Sequence, residues 1–145
     1  MDSSLGDRLG FGSRPLSVLF IEPDASVRHA VEAALVSAGF RVLACTGVCP
    51  SVREALGLGV DLILVDALGQ GWAASREWLG SLDAAVRRKV VLTSVRSDGL
   101  RIARELCLGG FLEKPMSFPE TTQWLAGMAR GDAVARDASE PGQAG

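Results

Sequence analysis

The chain is poor in the residues that hold metals and staple small folds. It has one histidine, His29, and three cysteines, Cys45, Cys49 and Cys107. An odd cysteine count argues against a disulfide framework. A zinc site wants four nitrogen or sulfur ligands. Cys45 and Cys49 stand in a C-x3-C spacing without a second ligand pair. They read as reduced, buried or half-buried thiols, as does Cys107. Long apolar runs are also missing. None approaches the roughly 18 residues that span a bilayer, so no membrane partner is expected. The opening segment, MDSSLGDRLGFGSRP, carries Asp and Gly and lacks an apolar centre, which excludes a signal peptide. A cytoplasmic location is the resulting expectation. Charge of one sign is lacking too. The formal net charge of −2 gives no reason to expect nucleic acid as a partner.

What is present is globular. Apolar residues make up 48% and charged residues 22%, far from a disordered composition. A length of 145 residues suits one α/β domain with its own core. Residues 1–15 read as a flexible N-terminal arm, and 131–145, GDAVARDASEPGQAG, as a flexible C-terminal tail without a DNA-binding element. The domain itself is expected over 16–130.

Within it, strand and helix patterns alternate. Ser17–Glu22 (SVLFIE) is a short apolar run ending in an acid. Ala25–Ala38 is a helix pattern with Val27, Ala30, Val31, Ala34 and Leu35 on one face, Asp24 as N-cap and Gly39 as stop. Arg41–Cys45 is a second strand, and Pro50–Leu58 a helix with proline in its first turn. Asp61–Asp66 (DLILVD) is a third strand, again ending in an acid. Ala73–Leu82 is a helix weakened by Gly80, and Asp83–Arg88 fits helix or loop. Val90–Thr93, helix Ser97–Leu108, strand Gly110–Glu113 and helix Pro119–Ala129 complete a (βα)5 pattern. Strands one, three and four are unbroken apolar runs, as expected of parallel strands covered on both faces. Right-handed crossovers then give a doubly wound five-stranded parallel sheet of order 2-1-3-4-5, with a site outside the carboxyl ends of the strands.

That rim collects polar residues. Glu22 closes strand one, Asp66 closes strand three, Thr93 closes strand four and Lys114 follows strand five. Singly, each reads as a solvated or capping residue. Together, two carboxylates, a hydroxyl and an ammonium at four of five strand ends make a site.

The segments VLFIEPDASVR (18–28), DLILVDALG (61–69), VVLTS (90–94) and GFLEKPM (110–116) resemble the receiver domain of two-component response regulators, a flavodoxin-like fold. The Lys114–Pro115 dipeptide after a short β run with an aromatic is the most specific mark. The resemblance implies that this peptide bond is cis and aims the lysine into the pocket. It implies a signalling switch, not an enzyme. Asp66 would accept a phosphoryl group from a histidine kinase or phosphotransfer protein, or from a small acyl phosphate. Mg2+ would be held by Glu22, Asp66 and the carbonyl of Leu68. Lys114 would pair with the phosphate and Thr93 would hydrogen-bond it. Phe111 matches the aromatic that swings inward as the Thr93 hydroxyl is recruited. The face of the fourth helix, fifth strand and last helix would then change for a downstream partner or a second copy.

The chain departs from that pattern at two places. The second of two adjacent acids ending strand one is here Pro23, which offers no side-chain ligand, so Mg2+ binding should be weak. Asp24 is in competition between replacing it and capping the helix. After Asp66 the segment Ala67–Trp72 carries extra glycines, which predict a mobile loop. Two functional readings follow: a working phosphoreceiver with poor metal affinity, or a pseudo-receiver serving as a phosphorylation-independent docking module. A small-molecule binder of flavodoxin type would want a phosphate-cradling loop after strand one, and EPDAS is acidic instead. In the last helix, Thr121, Leu125 and Met128 fit an inward stripe. Trp124 falls on its flank, as a half-buried cover for the core or as a contact residue for a partner. Trp72 and Trp78 are expected around the third helix.

Overall fold

A computed structural model describes residues 14–131. The expected arm and tail lie outside the described residues, apart from Arg14, Pro15 and Gly131. Five strands, β1 (Ser17–Ile21), β2 (Arg41–Cys45), β3 (Leu62–Asp66), β4 (Val90–Ser94) and β5 (Gly110–Glu113), alternate with helices. The helices are α1 (Ala25–Ser37), α2 (Pro50–Leu58), α3 (Trp72–Ser81), a single turn α4 (Ala84–Arg87), α5 (Gly99–Glu105) and α6 (Glu120–Arg130). All strand pairs are parallel, in the order β2-β1-β3-β4-β5. The doubly wound reading of the sequence is correct.

Side chains alternate across each strand, so an apolar run feeds two cores. Leu19, Ile21, Ile63, Val65 and Leu92 join Val52, Leu79 and Ile102 on one face, under α2, α3 and α5. Val18, Phe20, Leu62, Leu64 and Val91 join Val31, Leu35 and Leu125 on the other, under α1 and α6. The edge strand β2 is only partly buried, which is why its sequence alternates less cleanly. Of the expected α1 stripe, Val27, Val31, Ala34 and Leu35 turn inward while Ala30 is exposed.

Several boundaries differ from expectation for identifiable reasons. β3 starts after Asp61, whose carboxylate accepts from the Ser17 amide at 2.8 Å and whose own amide donates to the Ser17 carbonyl at 3.0 Å. The Asp83 carboxylate caps the Val86 amide at 2.9 Å, so Ala84–Arg87 closes as a helical turn. α5 is shorter than Ser97–Leu108. Three-residue turns bonding Gly99 to Arg96 and Leu100 to Ser97 precede it. Cys107, at φ 58°, takes the left-handed conformation that ends it. The exposure of Cys107 also corrects the expectation that all three thiols are buried or half-buried. Trp78 is buried, while Trp72 and Trp124 are half-buried. Among the described residues, no helix is long and apolar enough to cross a membrane.

Candidate functional site

Parallel pairing puts every strand's carboxyl end on one rim, and the register fixes which side chains meet there. Asp66 stands opposite Thr93 across β3 and β4, and Ser94 opposite Glu113 across β4 and β5. The Lys114 amide donates to the Ser94 carbonyl at 2.8 Å, and the Lys114–Pro115 bond is cis. From there the Lys114 ammonium reaches across the rim. Its Nζ donates to Glu22 Oε1 at 2.6 Å and to Asp66 Oδ1 at 2.7 Å. Three residues from three strand ends, 48 and 92 positions apart from Lys114, thus form one ion-paired cluster.

The cluster is largely withdrawn from water. The side chains of Lys114, Glu22 and Asp66 are 11%, 2% and 10% exposed. Burial alone would push the Lys114 ammonium toward deprotonation. Hydrogen bonds and charge from Asp66 and Glu22 outweigh it and hold the lysine pKa above its ordinary value. Glu22 is fastened on all sides. Its Oε2 accepts from the Asp24 amide at 3.1 Å, and its own amide donates to the Cys45 carbonyl at 2.9 Å.

Thr93 is fully buried, and its Oγ1 is a buried side-chain oxygen without a hydrogen-bond partner among the described residues. A hydroxyl in that state costs roughly 1–3 kcal/mol unless a ligand completes it. Phe111 lies inside, 1% exposed, with its ring against Gly99. A Cβ at Gly99 would collide with ring atoms Cε1, Cδ1 and Cζ of Phe111.

In the loop after Asp66, Leu68 has φ 66°, a left-handed conformation unusual for a leucine. A Cβ on Gly69 would come within 2.8 Å of Asp66 Oδ2, so glycine there lets the loop close over the carboxylate. Asp24 keeps its capping role. Its side chain accepts from the Val27 amide at 3.0 Å, and only its main chain touches Glu22. Pro23 puts no donor into the cluster.

Two residues of the site escaped sequence reading. Arg28, in the first turn of α1, donates to the Glu22 carbonyl at 2.9 Å and to that of Pro23 at 3.4 Å. Its place one turn beyond Asp24 was the available signal. Gly99 had none, because only the folded position of Phe111 shows the close approach.

No family model matches the chain, and no curated protein matches it. Solved structures do. A CheY-like response-regulator receiver domain from Methylobacillus flagellatus is 20% identical, with a TM-score of 0.63, over 79% of this chain and 99% of that one. A response regulator from Thermotoga maritima is 16% identical, with a TM-score of 0.65, over 81% and 99%. The BeF3-activated N-terminal receiver domain of Klebsiella pneumoniae RstA is 18% identical, with a TM-score of 0.63, over 79% and 98%. The chain has the fold of a response-regulator receiver domain.

The receiver fold gives the rim cluster a place but leaves its donor set to be judged on its own. Two carboxylate oxygens already converge on a single cation, the Lys114 ammonium. Oxygen donors of this kind suit Mg2+. No group of three or more His, Cys, Asp or Glu side chains gathers for a metal among the described residues. The Glu22 and Asp66 carboxylates are the type of oxygen donor that Mg2+ takes, and the Lys114 ammonium engages both.

Proposed function

We propose that this protein is a signalling receiver that accepts a phosphoryl group on Asp66. The reading rests on the Lys114 ammonium held at 2.6 and 2.7 Å from Glu22 and Asp66, beside a buried Thr93 hydroxyl that has no partner among the described residues. A phosphoryl group on Asp66 uses both. The donor is a phosphohistidine on a histidine kinase or phosphotransfer protein, or a small acyl phosphate. An Asp66 oxygen attacks phosphorus; the new O–P bond forms as the bond to the donor breaks, and the donor leaves as a histidine whose ring nitrogen regains a proton from solvent, or as the free carboxylate of the acyl phosphate. Lys114 shifts from the carboxylate to a phosphoryl oxygen, and the Thr93 hydroxyl donates to another. Glu22, Asp66 and the Leu68 carbonyl would hold Mg2+, which neutralises phosphoryl charge when bound. The α5–β5–α6 face, with Trp124 on α6, then carries the signal to a partner or a second copy.

The test is acetyl phosphate with generous Mg2+, read by intact mass. The expected product is one added phosphoryl group, absent in Asp66→Asn. An unmodified wild-type chain under those conditions overturns the phosphoreceiver.

A second reading has its own support. Phe111 is already buried against Gly99, and Lys114 already pairs with both acids. On that reading the α5–β5–α6 face is held in a single state and docks a partner without phosphate.

A further inference from the structure

The sheet has two edge strands, and they differ. β5 is buried except at Glu113, which is charged. β2 is exposed or half-buried along its whole length. Its backbone groups alternate in direction. The Arg41 amide donates to the Leu16 carbonyl, and the Cys45 carbonyl accepts from the Glu22 amide, both toward the β1 side. Leu43 stands midway between them in the same register. The N–H and C=O groups of Val42 and Ala44 therefore point outward. They have no hydrogen-bond partner among the described residues.

Natural sheets blunt such an edge with charge, proline or a covering segment. β2 has a single charge, Arg41, at its start. Leu43, at its centre, is a large apolar side chain that is 40% exposed. Val36 on α1 and Leu58 on α2 are exposed as well. Three of the four exposed large apolar side chains among the described residues thus belong to β2 and to the helices that enter and leave it, which marks this edge for a cover. The adjoining helix ends are uncharged too: residues 33–40 read AALVSAGF and 55–60 read ALGLGV.

We propose that the cover is a second copy of this chain, with β2 pairing antiparallel to its twin about a twofold axis through Leu43, so that two sheets become one. The register is self-complementary. Val42 faces Ala44 of the partner subunit, Ala44 faces Val42 of the partner subunit, and each pair exchanges two N–H···O=C bonds. Centring the axis on Leu43 is the one register within the strand that uses both outward-pointing residues of each copy. Leu43 then faces Leu43 of the partner subunit in a non-hydrogen-bonded pair, with Cα atoms about 4.5 Å apart. Arg41 faces Cys45 of the partner subunit, so no like charges meet along the strands. Leu43 shares its face of the sheet with Cys45, which packs on the α2 side, while Val42 and Ala44 pack on the α1 side. The paired leucines close the junction on the α2 side, and Val36 stands on the α1 side.

The junction lies at the opposite edge of the sheet from β5. The α5–β5–α6 face stays open in such a dimer, and the inference does not rest on phosphate transfer.

The experiment is sedimentation equilibrium of the full chain over a range of concentrations. Wild type should show a monomer–dimer equilibrium. Leu43→Glu and Leu43→Lys should each weaken it by roughly tenfold or more, since like charges then face one another. Mixed in equal amounts, the two variants should dimerise again, because opposite charges meet on the axis. Hydrogen exchange read by NMR should show the wild-type Val42 and Ala44 amides slowing as concentration rises. A wild type that stays monomeric throughout, a dimer that persists in both variants, or a mixture that stays monomeric overturns the proposal. So does a dimer lost in Trp124→Ala and kept in Leu43→Glu, which would place the interface on α6. The wild-type exchange data decide even if a variant fails to fold.

Discussion

Gly99 leaves the ring of Phe111 no room for a side chain at its edge: a single added methyl would overlap ring atoms Cε1, Cδ1 and Cζ. Helix α5 and strand β5 are thereby locked together at the buried ring. Overpacking of this kind costs about 1–3 kcal/mol. Gly99→Ala should lose stability by that order in urea unfolding, with the ring displaced from its seat. The double variant Gly99→Ala, Phe111→Leu should recover part of it. Equal stability of Gly99→Ala and wild type would mean that α5 shifts freely and that the ring is not confined.

Thr93 sits opposite Asp66 with a buried hydroxyl that has no hydrogen-bond partner among the described residues. Thr93→Val keeps the shape and removes the unpaired group. The variant should gain about 1 kcal/mol in the resting protein, since a buried unsatisfied polar atom carries a penalty of that size. It should also shorten the lifetime of any phosphoryl group on Asp66, because one donor to it is gone. Stability measured by urea unfolding should thus rise while the lifetime of the phosphorylated mass falls. A loss of stability in Thr93→Val would show that the hydroxyl has a partner in solution.

The same two residues show how far the sequence could be read. The strand ends were legible because apolar runs stopped at Glu22, Asp66 and Thr93, and a parallel sheet must bring such ends to one rim. Lys114 was legible from its proline neighbour. The sequence did not reveal that one ammonium joins both acids, because side chains 92 positions apart meet only through the sheet register. Nor did it reveal the work of the glycine-bearing loop. Gly69 gives Asp66 Oδ2 its clearance and Leu68 takes a left-handed turn, both set by tertiary closure. The short α5 was misread because its periodic pattern continues into turns at both ends.

Lys114 supplies a pH test. Its pKa is raised by hydrogen bonds and charge from Asp66 and Glu22, in excess of the burial that opposes them. A raised folded pKa contributes stability in full below the unfolded lysine value of about 10.4 and loses it as pH climbs through the folded value. Lys114→Met should be less stable than wild type by about 3 kcal/mol near neutrality, since it leaves two largely buried carboxylates without their cation. That gap should stay level from pH 7 to about 9.5 and narrow only above about 10.4. Urea midpoints of the two proteins across this range are the measurement. A gap that closes below pH 9 would mean that the ammonium is not held by the acids.

Pro23 lies between Glu22, whose Oε1 holds Lys114, and Asp24, whose side chain is committed to the Val27 amide. No neighbour is therefore available to replace the ligand that proline lacks. Mg2+ affinity rises with the number of charged oxygen ligands at a site. Pro23→Asp should tighten Mg2+ binding by roughly tenfold, about 1.4 kcal/mol, in a calorimetric titration. The same change made with Asp66→Asn should restore little, because the second converging carboxylate is then gone. Acetyl phosphate labelling of Pro23→Asp should also proceed at lower Mg2+ than in wild type. An unchanged titration would place residue 23 away from the cation and shift the weakness of the site to the loop after Asp66.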